Sequence, residues 1–216
     1  MIISSHGHAQ FLLETQSGLR ILTDPFNPDV PWPYFETRAD VVTSSHGHFD
    51  HCHFEKVQGS PVIVKDLGAH APAPGVRVTG FPSFHDDAQG AKRGPNTIYL
   101  IEADGLKVAH LGDLGAEPAQ EVLDPLQGLD VVFVPVGGTY TLDAAQAAAL
   151  MRKLQPRVVI PMHFKKASQG FQNIEAVDAF LTAMQPLQAS HQPLLRVTAQ
   201  DISEAPGLVV LDISDR

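Results

Sequence analysis

The stretch Ser45-His46-Gly47-His48-Phe49-Asp50-His51, which completes and follows the apolar run 41–45, decides how the rest of this chain is read. In extended chain, residues two apart point the same way, so His46 and His48 present their imidazoles to one point. Asp50 and His51 then belong to a tighter turn, where adjacent side chains diverge toward a second position nearby, and Gly47 supplies the room. Imidazole and carboxylate without thiolate suit zinc, iron, manganese or nickel and disfavour calcium or magnesium. Three histidines and an aspartate at the exit of a buried strand therefore read as a metal-binding motif, to be judged by its structural context.

Outward from the motif, the runs 41–45, 61–65, 131–135 and 158–161 read as strands buried on both faces. Residues 10–14 and 19–23 flank Thr15-Gln16-Ser17-Gly18, which predicts a hairpin. A second hairpin is predicted at 97–102 and 106–111, because Asp104-Gly105 between apolar runs is a strong turn signal. Each returning strand ends on an aspartate after a small residue, Thr23-Asp24 and Gly112-Asp113, as an internal duplication would leave them. Helices are predicted at 144–154, capped by Asp143, at 174–184, capped by Asn173, and at 118–126. Hairpin strands followed twice by alternating strand and helix predict an α/β chain of two mixed sheets with helices outside them. The Pro-rich stretches 25–33 and 71–74 read as surface loops, so residues 1–216 are read as one domain.

A chain of 216 residues, 44% of them apolar, can bury one sizeable core. No stretch approaches the roughly 20 apolar residues of a membrane span, and Met1-Ile2-Ile3-Ser4-Ser5 does not open a signal peptide. The single cysteine, Cys52, cannot form an internal disulfide, so the cytoplasm is the expected compartment. A net charge of -9 counts against nucleic acid as a partner and leaves a small-molecule substrate as the expected one. Histidine is about twice as frequent as average composition gives, but His6, His53, His70, His110 and His191 read as ordinary core or surface residues. Pro31-Trp32-Pro33-Tyr34-Phe35 reads either as a lid or as the interface of a homo-oligomer.

The pattern His-x-His-x-Asp-His resembles the signature of the metallo-β-lactamase superfamily, and the resemblance covers nearly the whole chain. It implies a four-layer αββα sandwich with two divalent transition-metal ions at the edge between the sheets. Taken residue by residue, it implies His46, His48 and His85 on one metal, Asp50, His51 and His163 on the other, and Asp113 bridging them. Zinc is the first expectation, with manganese, iron and nickel as alternatives. Gly7-His8-Ala9, Leu22-Thr23-Asp24-Pro25-Phe26 and the run from Val134 to Asp143 are similar to a compact branch that includes zinc-dependent hydrolases and L-ascorbate-6-phosphate lactonases.

That resemblance implies a hydrolase in which a dinuclear-metal-activated hydroxide attacks a small ester, lactone or phosphodiester, with Asp50 and Asp113 as catalytic carboxylates. Asp24 reads either as a turn residue or as the partner that holds a metal-binding histidine by its other ring nitrogen. His8, Asn96 and Tyr140 read as substrate contacts or as groups that satisfy the local backbone, and Cys52 receives no role. Two rivals remain. A di-iron or mono-iron oxidoreductase is disfavoured because His48 stands where such relatives carry glutamate, and a metal-dependent nuclease is disfavoured by the acidic charge.

Overall fold

A computed structural model describes residues 1–214. The first half of the chain contributes strands β1 (Ile2–Gly7), β2 (Gln10–Glu14), β3 (Arg20–Thr23), β4 (Val41–Thr43), β5 (Val62–Val64), β6 (Gly68–Ala73), β7 (Val76–Phe84) and β8 (Pro95–Ala103). The rest contributes β9 (Leu106–His110), helix α1 (Gln120–Leu123), β10 (Val131–Pro135), helix α2 (Ala144–Leu154) and β11 (Val158–Met162). Helix α3 (Asp178–Ala183), β12 (Ser190–Gln192), β13 (Leu195–Arg196) and β14 (Val209–Leu211) complete it. One sheet runs β13-β1-β2-β3-β4-β5 and the other β11-β10-β9-β8-β7-β6, while β12 and β14 form a small third ladder.

Both predicted hairpins form. Asp104 and Gly105 join β8 to β9 with positive φ at both positions, the backbone that matches the strands' right-handed twist. The parallel strands β10 and β11 are buried on both faces, as their unbroken apolar sequences require. The core between the sheets stacks Phe11 on Phe133 at 4.0 Å between ring centroids, among Ile3, Val41, Val78, Tyr99 and Ile101. Each such buried side chain stabilises the fold by roughly 1.5–3 kcal/mol relative to exposure. The outer face of the second sheet packs on α2 and α3 through Val132, Val159, Leu150, Met151 and Phe180. Over the first sheet the covering layer is thinner. Leu12, Leu22 and Val42 lie beneath Phe54 and Val57, around a single 3-10 turn at Phe54–Lys56. The architecture is thus the expected sandwich of two mixed sheets flanked by helices.

Helix α2 begins where expected. Asp143 accepts a hydrogen bond from Gln146 N at 2.8 Å, and the Gln146 side chain reciprocates. The other two helices differ from expectation. Asn173 caps nothing, since its amide donates to the Tyr140 hydroxyl. Residues 174–176 pair instead with backbone near the site, Glu175 N to Gly137 O and Lys165 N to Glu175 O, so the helix starts only at Asp178. The helix expected at 118–126 is one turn of α1 followed by a 3-10 turn at Asp124–Leu126, because Pro125 lacks the N–H that would continue it.

Three further readings are corrected. β5 is an edge strand with Val62 and Ile63 exposed, not buried on both faces. Residues 71–73 belong to β6, not to a loop. The stretch 25–33 buries Phe26, Val30 and Trp32 as a small apolar cluster, with Trp32 edge-on to Phe164. No helix among the described residues is long and apolar enough to cross a membrane.

Candidate metal centre

The motif leaves β4 as a closed loop. His51 N donates to His48 O at 2.9 Å, and Ser44 Oγ lies 3.1 and 3.0 Å from the carbonyl oxygens of His46 and His51. Beneath it sits Asp24, wholly buried at the end of β3 with a φ of 39°. Its carboxylate accepts from Ser45 N at 2.8 Å, from Ser45 Oγ at 2.5 Å and from His51 Nδ1 at 2.8 Å. With its proton committed to Asp24, Ser45 Oγ accepts from His46 Nδ1 at 2.9 Å. Both histidines therefore turn a bare Nε2 away from Asp24.

The second sheet supplies the facing residues. His85 follows β7 and donates from Nδ1 to the Tyr140 carbonyl at 3.1 Å, so its Nε2 also carries a lone pair. His163 follows β11 at a φ of 54°, with its N–H donating to His8 O at 3.0 Å. Asp113 follows β9 across Gly112. Gly112 has a φ of 56°, and a Cβ there would stand 2.3 Å from Asn96 Oδ1 and 2.5 Å from Ser45 Cβ. Only glycine lets the two sheets' exits approach so closely. Asn96 Oδ1 holds the Asp113 N–H at 2.9 Å, while the Asn96 amide donates to Ser83 Oγ and Leu111 O.

All seven residues named from the sequence converge. Asp113 Oδ2 lies 3.1 Å from His85 Nε2, 3.2 Å from both His51 Nε2 and His163 Nε2, and 3.9 Å from His46 Nε2. Two groups of ligating atoms, each within 4.8 Å of one another, flank it: His46, His48 and His85, and His8, Asp50, His51 and His163. Asp113 Oδ1 and the Nε2 atoms of His46 and His51 are buried without a hydrogen-bond partner. Lone pairs facing a carboxylate in a dry site repel unless a cation lies among them, so the donor set fits divalent transition metals.

The electrostatics agree. Burial, reinforced by charge on neighbouring imidazoles, lowers His46 to about 3 and His8 to about 4, and it lowers His48 too, so these rings are neutral. His51 and His85 are raised despite burial, His51 strongly, by Asp113. Asp113 is held well below the usual carboxylate range, against burial, by His163 and His51, and Asp50 is lowered, also against burial, chiefly by its hydrogen bond from His8. The Asp113 carboxylate thus favours positive charge at His51 and His85, the charge that a bound cation would supply.

Of the remaining expectations, His8 lies in the cluster, its Nε2 3.1 Å from Asp50 Oδ2. Asn96 is buried and bonded to protein only, so it positions Asp113 and does not face substrate. Tyr140 lines a cavity of about 380 Å³ with His48, Asp50, His85 and Asp113. His110 is a core residue whose Nε2 donates to Ala9 O while Nδ1 accepts from Gly112 N. Phe49, Arg93 and Phe171, which sequence reading passed over, also line the cavity. Phe49 lies within the motif and Arg93 in the loop after His85, so proximity to the ligating residues was the available signal. A larger open groove of about 910 Å³ beside the β6–β7 and β8–β9 turns holds none of the ligating groups.

Comparison with known proteins agrees with this geometry. Residues 2–163 match the model of the beta-lactamase superfamily domain. A UPF0173 metal-dependent hydrolase of Archaeoglobus fulgidus is 30% identical over 194 residues, covering 76% of this chain and 83% of the relative. A structure from Thermotoga maritima, described as that of a Zn-dependent hydrolase of the metallo-β-lactamase superfamily, superposes with a TM-score of 0.80 at 34% identity, over 97% of each chain. CmlA, a diiron β-hydroxylase from Streptomyces venezuelae, shares the fold alone, at 14% identity and a TM-score of 0.62 over 97% of this chain and 52% of its own. With residues that could hold a metal at the exits of two facing sheets, and with these relatives, the chain belongs to the metallo-β-lactamase superfamily and is a metal-dependent hydrolase of that fold.

Proposed function

We propose that this hydrolase works with two divalent transition-metal ions, zinc first, on a small ester, lactone or phosphodiester. His46, His48 and His85 would hold one ion, Asp50, His51 and His163 the other, and Asp113 would serve both. The observation that carries this reading is the Asp113 carboxylate, with three imidazole Nε2 atoms within 3.2 Å of one oxygen and no partner for the other. Bound ions of this kind lower the pKa of water toward neutrality and polarise a substrate oxygen.

The chain's own residues do the rest. Asp24 and Ser45 set the ring orientation of His51 and His46, and the Tyr140 carbonyl sets that of His85. Asp50, steadied by His8, lies at the cavity wall, where its carboxylate would orient the attacking water, or take up that water's proton and hand it to the leaving group. Phe49 and Phe171, with ring centroids 6.4 Å apart, give that side of the cavity an apolar wall. The test is a screen of ester, phosphorylated lactone and phosphodiester substrates with zinc-loaded and manganese-loaded protein, alongside metal analysis. Two metals per chain and one hydrolysed class are expected. A single metal per chain, or full activity after exhaustive chelation, would refute the dinuclear mechanism.

A further inference from the structure

We infer that Arg93 binds the substrate, and that the substrate carries an anionic group, a carboxylate or a phosphate, on an apolar body. This deepens the hydrolase reading and rests on its cavity. The loop after His85 is wound around one buried carboxylate: Asp86 accepts the backbone N–H groups of Ala88, Gly90, Lys92 and Arg93 at 2.7–2.9 Å. Arg93 is therefore anchored at its own backbone. Its side chain is fixed as well, since Nη2 donates to Thr139 O at 2.9 Å and Cζ lies 5.5 Å from the centroid of the Tyr140 ring. Tyr140 is in turn tied to His85 through its carbonyl and to Asn173 through its hydroxyl. Tyr140 thus contacts both the guanidinium and His85, and its neighbour Thr139 holds the guanidinium by a hydrogen bond.

A guanidinium has five N–H donors, and the described residues accept one of them from Arg93. Among the described residues it forms no ion pair, although the chain carries 24 acidic side chains and the adjacent Lys92 pairs with Asp87 at 2.6 Å. A fixed, half-buried, unpaired guanidinium in the wall of a small cavity suits bidentate recognition of a carboxylate or phosphate. Phe49 and Phe171 line the same cavity and give the rest of the ligand an apolar surface.

The test is calorimetric titration of phenylphosphonate, a ring bearing a non-hydrolysable anion, into zinc-loaded wild type, Arg93→Gln, Arg93→Lys and Lys92→Gln, with benzamide as the uncharged control. Arg93→Gln should weaken phenylphosphonate by about 10- to 100-fold, the worth of charge-assisted hydrogen bonds, at unchanged zinc content. Arg93→Lys should recover part of the loss, and Lys92→Gln and all benzamide titrations should match wild type. Equal affinity in wild type and Arg93→Gln overturns the inference, as does an equal loss in Lys92→Gln, which would indicate unspecific charge. In kinetics, Arg93→Gln should raise KM for a carboxylate-bearing 4-nitrophenyl ester by far more than it changes kcat or the KM of the uncharged acetate ester. Arg93-dependent binding without cleavage of any ester, lactone or phosphodiester supports the binding role and sinks the proposed substrate class. Cleavage with unchanged discrimination does the reverse.

Discussion

Asp24 and Asp113 each follow the returning strand of a hairpin, one in each sheet, and both are buried, yet their surroundings differ in what they leave undone. Asp24 is fully served by protein donors: an amide, a hydroxyl and an imidazole N–H. Asp113 receives none of these at Oδ1, and at Oδ2 it meets imidazole Nε2 atoms that are protonated only when a proton substitutes for a cation. A carboxylate whose donors come from the fold orients its neighbours. One whose donors are withheld waits for an ion.

The largest expected effect is therefore at Asp113. Asp113→Asn keeps the shape and removes the charge both donor groups share, so metal content should fall toward zero and activity by more than the roughly 100-fold seen when only an outer partner is lost. Metal analysis with steady-state rates checks this, and two retained ions would break the comparison. Asp24→Asn should act unequally. It should weaken the site of Asp50, His51 and His163, where Asp24 bonds His51 directly, by about 10- to 100-fold, and the other site, which Asp24 reaches only through Ser45 and His46, by less, as stepwise zinc titration would resolve.

A pH dependence of zinc binding sharpens the contrast further. His8 and His46, lowered to about 4 and about 3, have no proton to lose near neutrality. His51 and His85, raised above 6.5, must each release one, so affinity should keep climbing as pH rises past 6.5. Competition against a chromophoric chelator measures this. A plateau at 6.5 contradicts it. The smallest effect belongs to Ser45→Ala, which removes the hydroxyl between Asp24 and His46 and should cost about 1 kcal/mol in denaturant unfolding of the metal-free protein.

The motif of residues 45–51 was legible because its spacing is local and a buried strand delivers it. His85, Asp113 and His163 were legible only through resemblance, since nothing around each distinguishes a ligand from a loop residue. Strand β7 escaped notice because Gly80 and Pro82 interrupt its pattern. Its pairing with β6 ends at Gly80, so Pro82 faces no partner there and its missing N–H is not needed. The helix at 174–184 was overextended because propensity could not register that Glu175 would be recruited by Gly137.

Local sequence by itself determined the hairpins, the buried parallel strands, the capped helix α2 and the metal-seeking loop, each of which depends on contacts between near neighbours in the chain. Tertiary structure alone decided that Asp24 holds His51, that Asn96 turns inward to Asp113, and that Arg93 is left unpaired at the cavity wall. Those outcomes depend on which side chains two separate sheets bring within hydrogen-bonding distance, and no spacing along one strand encodes a distance across the gap between two.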